Sequence, residues 1–316
     1  MADIIFVHGM WSHGGVAEPL CGHLEEAGHQ VFSPSLPGHD ARTASDWKTH
    51  GRRSIHEYVA FVENFIAKQK FVQPPILIGH SMGGLIAQIV AARVPVRGLA
   101  LLNSAAPAGI NHIYPGPVYF FRKTLLTPRF WSLPTKPSFD SARKGLFHNV
   151  DPDKAAEIYA TLVPESGRCF FEMVFWWLNF RAPTRVRNAT RTPLFIVCSG
   201  KDKVVAPSVA FALTKRYPQA EFQLFPDNGH WIFHEEGEEA IYEAIEWWIA
   251  ATFDGEESSI RESHHLPHDA SRSTSATTQL SPDRPARLVS NLDDTGALRG
   301  NAHEDAEAGG GALLPR

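Results

Sequence analysis

Residues 76–92 read Ile76-Leu77-Ile78-Gly79-His80-Ser81-Met82-Gly83-Gly84-Leu85-Ile86-Ala87-Gln88-Ile89-Val90-Ala91-Ala92. The run Ile76 to Ile78 is short, apolar and of buried-strand type, and Leu85, Ile86, Ile89 and Val90 then recur at helical spacing. Ser81 is therefore predicted to sit on a sharp strand-to-helix turn. A serine hydroxyl is a poor nucleophile until a base takes its proton, and it must stand clear of the sheet to reach a carbonyl. Such a turn satisfies the second condition, and Gly79, Gly83 and Gly84 keep side chains from colliding around the serine. The helix N-terminus behind it offers backbone N–H donors and a dipole that favours developing negative charge. The competing reading is a glycine-rich turn with an incidental serine, and the agreement of strand, turn and helix favours the nucleophile.

Working outward, apolar runs of strand length alternate with longer helical patterns. The runs are Ile4–Val7, Gln30–Phe32, Ile76–Ile78, Leu99–Leu102, Leu194–Cys198 and Glu221–Phe225. Ile55, Val59, Val62, Phe65 and Ile66 fall on one helical face, as do Ile241, Ile245, Trp248 and Ile249. This alternation predicts an α/β fold with a mostly parallel sheet of about six strands and helices on both faces. Near-continuous apolar strands suit a sheet that is covered on both sides.

The alternation breaks between residues 105 and 189, where prolines punctuate a segment crowded with aromatic residues from Tyr114 to Phe180. A connection this long is rarely structureless, so 105–189 is expected to be an inserted helical lid on a core formed by 1–104 and 190–253. Most of its aromatics are expected to form the insertion's own small core and a minority to line a pocket. After Phe253 no aromatic residue, lysine or cysteine follows. Residues 254–316 lack the apolar surface to offset ordering entropy and are expected to be a disordered tail.

With 30 Lys and Arg against 34 Asp and Glu, the chain is near neutral and has no basic stripe of the kind that attracts nucleic acid or anionic lipid. The three cysteines Cys21, Cys169 and Cys198 have neither zinc-site spacing nor a disulfide count. The sequence opens on Met-Ala-Asp without a secretory pattern and has no apolar stretch long enough to span a bilayer, so a cytoplasmic protein without stable membrane insertion is expected. Oligomeric state is not legible.

The segment around Ser81 resembles the nucleophile elbow of the α/β-hydrolase superfamily, in its serine esterase and lipase branch, and the similarity covers residues 3–252 apart from the insertion. That resemblance implies an order of serine, then acid, then histidine, with the acid after the next core strand and the histidine after the last. Asp202, in the turn that ends Leu194–Cys198, holds the acid position at the strand edge where ligands bind in this fold class. The alternative there is a turn aspartate bonded to nearby backbone N–H groups. His230, in Pro226-Asp227-Asn228-Gly229-His230-Trp231, follows the final strand, which separates it from the other fifteen of the sixteen histidines. An imidazole accepts and returns a proton near neutral pH. Asp227 is tethered too closely to His230 to serve its far ring nitrogen. His234 lies four residues beyond His230, but no third ligand motif accompanies it, so no metal and no cofactor are expected.

The opening strand ends in His8-Gly9-Met10-Trp11, which resembles the family's oxyanion loop. The resemblance implies that the backbone N–H groups of Met10 and Met82 stabilise the developing alkoxide, with His8 structural. Trp11 and Trp231 are expected to line the substrate pocket. Fuller members of the family have an antiparallel hairpin ahead of this strand, which this sequence does not contain.

A small-molecule carboxylic ester, cleaved through an acyl-enzyme, is the implied substrate. A serine nucleophile excludes the aspartate-based dehalogenases and epoxide hydrolases of the superfamily. The carbon–carbon bond hydrolases stay open, since Trp231 suits them and Arg181 or Arg185 could mimic their cap arginine. Acyl transfer and a non-enzymatic receptor on the same fold are the remaining alternatives.

Overall fold

The computed structural model describes residues 1–40, 50–179, 181–187 and 191–263. Its centre is a sheet of six strands in the order β2-β1-β3-β4-β7-β8, with every neighbouring pair parallel. The strands are β1 (Asp3–Val7), β2 (Gln30–Phe32), β3 (Ile76–His80), β4 (Gly98–Leu102), β7 (Leu194–Ser199) and β8 (Glu221–Phe225). The helices of the core are α1 (Glu18–Glu26), α2 (Ile55–Gln69), α3 (Met82–Ala91), α8 (Pro207–Arg216) and α9 (Glu238–Ser263), and they cover both faces. β1, β3, β4 and β7 are buried almost throughout, which is why they read as unbroken apolar runs.

Chain order reverses at β1, which has β2 on one side and β3 on the other. Loops leaving the C-terminal ends of β1 and β3 diverge there and open a crevice, the usual place for a ligand in an open α/β sheet. Register pairs Val7 with Gly79, so the segments Gly9–Trp11 and His80–Met82 leave the sheet side by side.

Local sequence explains the key elements. α2 starts at a capping box in which the Ser54 N–H donates to Glu57 Oε1 at 3.0 Å. α3 is apolar nearly all round, with nine of its residues from Met82 to Val90 buried, so it is the central helix of the fold rather than a surface one.

Between β4 and β7 the chain makes the long excursion that the sequence suggested. It contains α4 (Pro115–Leu126), α5 (Phe139–Lys144), α6 (Pro152–Thr161) and α7 (Gly167–Val174). A ribbon of two short strands, β5 (Pro134–Thr135) and β6 (Glu165–Ser166), pairs antiparallel within it and was not anticipated, because two-residue strands carry no periodicity. Phe130, Phe170, Phe171 and Phe175 pack mainly on one another, with ring centroids between 5.2 and 6.3 Å.

Two buried carboxylates tie this excursion to the core. Glu172 Oε2 accepts the Ser54 hydroxyl at 2.7 Å and the Ile55 N–H at 2.9 Å, which places a negative charge on the N-terminus of α2. Glu165 accepts the Tyr58 hydroxyl at 2.7 Å and pairs with His39 Nε2 at 3.0 Å. Burial works against its charge, but His39 and Tyr58 outweigh that and hold it below the usual carboxylate range.

α9 runs to Ser263, ten residues past the Phe253 boundary at which the tail was expected to begin. The rest of the expected tail, 264–316, lies outside the described residues. Among the described residues no helix is long and apolar enough to cross a membrane.

A Cβ on Gly83 would be driven into the Val7 carbonyl, a backbone atom that cannot step aside. Gly83→Ala is therefore expected to destabilise the protein by about 3 kcal/mol, at the upper end of overpacking costs, measured as a lower denaturant midpoint with an unchanged slope.

Candidate active site

Ser81 lies directly after β3 and caps α3, with φ 54° and ψ −121°. That left-handed backbone is costly for a residue with a side chain, on the order of 1–3 kcal/mol. Three hydrogen bonds hold it: the Ser81 N–H donates to the Leu102 carbonyl at 3.0 Å, and the Ser81 carbonyl accepts the Ala105 N–H at 2.9 Å and the Gly84 N–H at 3.0 Å. The side chain is thereby turned away from the sheet.

His230 Nε2 lies 3.1 Å from Ser81 Oγ, and His230 Nδ1 lies 2.7 Å from Asp202 Oδ2. The carboxylate has no proton to give, so Nδ1–H donates to it and leaves the Nε2 lone pair facing the serine hydroxyl. Asp202 Oδ1 accepts the N–H groups of Val204 and Val205, both at 2.8 Å. One oxygen is locked by the turn and the other is aimed at the imidazole, so the turn role and the orienting role fall on the same side chain. Asp227 instead faces solvent, its side chain 85% exposed and paired with Lys201 at 2.8 Å.

Several residues that motif reading missed fix the histidine. Asn103, with φ 45°, extends Nδ2 to the Gly229 carbonyl at 3.1 Å, the His230 carbonyl at 3.3 Å and Ser199 Oγ at 2.9 Å. Its Oδ1 accepts the Ser199 N–H at 2.9 Å, which couples the ends of β4 and β7. His80 Nε2 lies 2.9 Å from the His230 carbonyl and must carry its proton there to donate. Burial, with His230 nearby, pushes the His80 pKa down to about 3, so it stays neutral at pH 7. Asparagine does tolerate left-handed backbone at a strand end, but neither Asn103 nor His80 stands in a pattern that announces a tertiary partner.

An open cavity of about 100 Å³ lies against Ser81. Met10, Trp11 and Met82 form the wall nearest the hydroxyl. The excursion adds Phe121, Leu125, Phe170 and Met173, and the segment after Asp202 adds Val204, Val205 and Val209. No Lys, Arg, Asp or Glu is among the lining residues, and neither Arg181 nor Arg185 reaches it. Met82 N–H is the first in α3 and has no acceptor within the helix. Met10 borders the same space from the end of β1.

Trp11 is part of that wall, but Trp231 is not, which corrects the expectation that both tryptophans line the pocket. The Trp231 side chain turns into the core and packs on Phe147 at 4.9 Å, Phe233 at 6.2 Å and His80 at 6.3 Å, 2% exposed. Sequence adjacency to His230 says nothing about which way the next side chain points, and here it supports the histidine loop from behind.

Among the described residues the grouping with metal-ligand character is His39, His50 and Glu165. Within it His39 Nε2 lies 3.0 Å from Glu165 Oε2, and His50 Nε2 is bonded outside it to the Pro164 carbonyl at 2.7 Å. His234 is not part of it.

A model of the alpha/beta hydrolase family matches residues 4–244. The chain belongs to this family. It is 24% identical over 266 residues to an sn-1-specific diacylglycerol lipase of Mus musculus, covering 78% of this chain and 80% of that one. It is likewise 24% identical over 259 residues to a monoacylglycerol lipase of Mycolicibacterium smegmatis, covering 78% and 88%. The structure is similar to that of a methylesterase from Arabidopsis, with a TM-score of 0.61 at 16% identity, over 78% of this chain and 97% of the other. At that identity the likeness concerns the fold.

The two aspartates give a direct contrast. Asp202→Asn should lower kcat by about 10⁴, as the equivalent change does in a serine protease triad, because the amide favours the wrong imidazole tautomer. Asp227→Asn should leave kcat within about twofold, as for most exposed substitutions. Steady-state kinetics on one aryl ester checks both, and the reverse ranking rejects Asp202.

Proposed function

We propose that this α/β hydrolase is a serine hydrolase that cleaves carboxylic esters with an apolar acyl group through an acyl-enzyme on Ser81. The observation that carries the proposal is the relay from Ser81 Oγ to His230 at 3.1 Å and on to Asp202 at 2.7 Å, opening onto a cavity without a charged side chain.

In this mechanism His230 Nε2 takes the Ser81 proton as Oγ attacks the ester carbonyl carbon. The carbonyl oxygen becomes an alkoxide and accepts the N–H groups of Met10 and Met82, donors each worth on the order of 10²–10³ in rate. Asp202 stabilises the imidazolium without taking its proton. When the tetrahedral species collapses, the C–O bond to the alcohol breaks and His230 protonates the leaving oxygen. Water, deprotonated by the same nitrogen, then attacks the acyl carbon and releases Ser81.

The excursion acts as the lid of this site, since Phe121, Leu125, Phe170 and Met173 supply much of the cavity wall. The apolar lining supports an acyl chain as the group held there, in keeping with the acylglycerols named for the two lipase relatives. It gives no partner to a substrate carboxylate, whose unpaired burial is costly. A carbon–carbon hydrolase with a cap arginine therefore has less support than an esterase, because Arg181 and Arg185 are absent from the wall.

A fluorophosphonate should label Ser81 alone among the serines, read by peptide mapping, and Ser81→Ala should abolish both labelling and turnover. Among acyl esters of one alcohol, kcat/KM should rise about tenfold for each two added methylenes until the cavity is full, at about 0.8 kcal/mol per buried methylene. A profile that falls steadily from acetyl to octanoyl overturns the apolar-acyl reading.

A further inference from the structure

His230 does not stand on a free loop, because the residue before it, Gly229, is held by both its carbonyl and its N–H. Its carbonyl, that of Gly229, accepts Asn103 Nδ2 at 3.1 Å. The N–H of Gly229 donates to Glu235 Oε2 at 2.6 Å, the short length of a charge-assisted bond. Glu235 is 4% exposed, and the side-chain amides of Asn149 and Asn228 act on its carboxylate as further donors. The same two amides hold loop backbone: Asn149 Nδ2 donates to the Asp227 carbonyl at 2.7 Å, and Asn228 Nδ2 to the Glu236 carbonyl at 3.3 Å. Glu235 also forms an antiparallel bridge with Val150 of the excursion. A buried carboxylate one residue removed from the base in the chain of contacts is expensive to keep for packing alone.

We propose that Glu235 is a positioning residue for His230, its carboxylate fixing the backbone that carries the imidazole through the Gly229 N–H and favouring the imidazolium through its charge. The proposal rests on the serine-hydrolase reading for its effect on turnover, while its effect on the imidazole stands on geometry.

The charges around this pair are few. His230 is faced by Asp202 from the turn after β7, by His80 from β3 and by Glu235 from its own loop. From the excursion, His148 packs against the position of Gly229; burial lowers its pKa, with Lys203 in the same sense, so it stays uncharged near neutrality. Burial raises the Glu235 pKa to about 7, against the pull of the Gly229 N–H and of His230. The folded protein therefore takes up a proton on Glu235 as pH falls through about 7. Below that the clamp weakens and the charge is lost. In stability the sign is the opposite of a salt-bridged carboxylate: this group contributes most below the ordinary glutamate range, and that contribution is lost as pH rises through about 7.

The test uses the full chain with Glu235→Gln, which keeps an acceptor for the Gly229 N–H but has no charge, and Glu235→Ala, which has neither. In Glu235→Gln, kcat should fall about tenfold with KM within twofold, the size of a typical supporting-residue effect. The acid limb of log kcat/KM should be steeper than one in the wild type and return to a slope of about one in Glu235→Gln, since one of two ionisations is removed. In substrate-free protein, ring ¹H–¹⁵N correlation spectra should show the His230 titration midpoint moving down, the direction expected for losing a nearby negative charge. Glu235→Ala should lose more activity than Glu235→Gln; if it does not fold, Glu235→Gln decides alone. A wild-type kcat, acid limb and His230 midpoint in Glu235→Gln overturn the proposal. So does a loss that follows only a lower Tm with the midpoint unmoved. A shifted midpoint in a protein that hydrolyses no ester supports the positioning role and rejects the serine-hydrolase reading instead.

Discussion

The contact on which the rest depends is the seating of Gly83, in the first turn of α3, directly under the Val7 carbonyl of β1. Only a residue without a Cβ permits it, and it brings the N-terminus of the central helix down onto the crevice where β1 and β3 diverge. The chain must then reverse within the few residues between β3 and α3, and that forces Ser81 to φ 54°. The strain is tolerated because α3 is buried nearly all round and cannot relax without opening the core. Exposure of the Ser81 hydroxyl, proximity of Met82 to Met10 and the position of the cavity all follow from that one approach.

Buried carboxylates organise the polar side of the molecule. Glu165, Glu172, Asp202 and Glu235 are each hidden from solvent, and each accepts a backbone N–H: from Ser166 at 2.6 Å, Ile55 at 2.9 Å, Val204 at 2.8 Å and Gly229 at 2.6 Å. Such groups contribute little net stability compared with apolar replacements, but removing a partner leaves a buried charge uncompensated. They act more as selectors of geometry than as sources of stability. Glu165 and Glu172 register the excursion on α2, while Asp202 and Glu235 register the turn and the loop that flank His230. An apolar interface alone would let the excursion slide, since dispersion has little directional preference.

What the sequence made legible follows from this division. The four inner strands were readable because burial on both faces leaves a run with no polar break, while the edge strands β2 and β8 are half-exposed and contain polar residues, and the observed bounds differ from the sequence runs by at most two residues at an end. Ser81, Asp202 and His230 could be singled out as a set because each follows a core strand in a glycine-bearing turn, and the structure brings the three side chains within hydrogen-bond reach. Asn103, His80 and Glu235 were not legible. Asn103 and His80 act through partners more than a hundred residues away and Glu235 through a backbone N–H of its own loop, and neither kind of contact leaves a periodic trace. Trp231 was misplaced for a related reason: adjacency fixes where a Cα sits, while the direction of its side chain depends on packing against Phe147 and Phe233. The ribbon of Pro134–Thr135 with Glu165–Ser166 is too short to have a pattern.

The site also separates its chemical groups from its selective ones. The hydrogen-bonded relay and the oxyanion candidates come from the C-terminal edge of the sheet: Met10 after β1, Ser81 after β3, Asp202 after β7 and His230 after β8. Much of the cavity wall comes from the excursion, through Phe121, Leu125, Phe170 and Met173. Strand ends fixed by main-chain hydrogen bonds have few ways to move, whereas aromatic and methionine side chains repack at modest cost. Substitutions in the excursion can therefore reshape the cavity without displacing the Ser81 hydroxyl, provided the Glu165 and Glu172 anchors are kept. The constraint works in one direction only. A change at Asn103 or Glu235 disturbs the loop that carries His230, and no adjustment in the cavity wall can restore the distance between the imidazole and the serine.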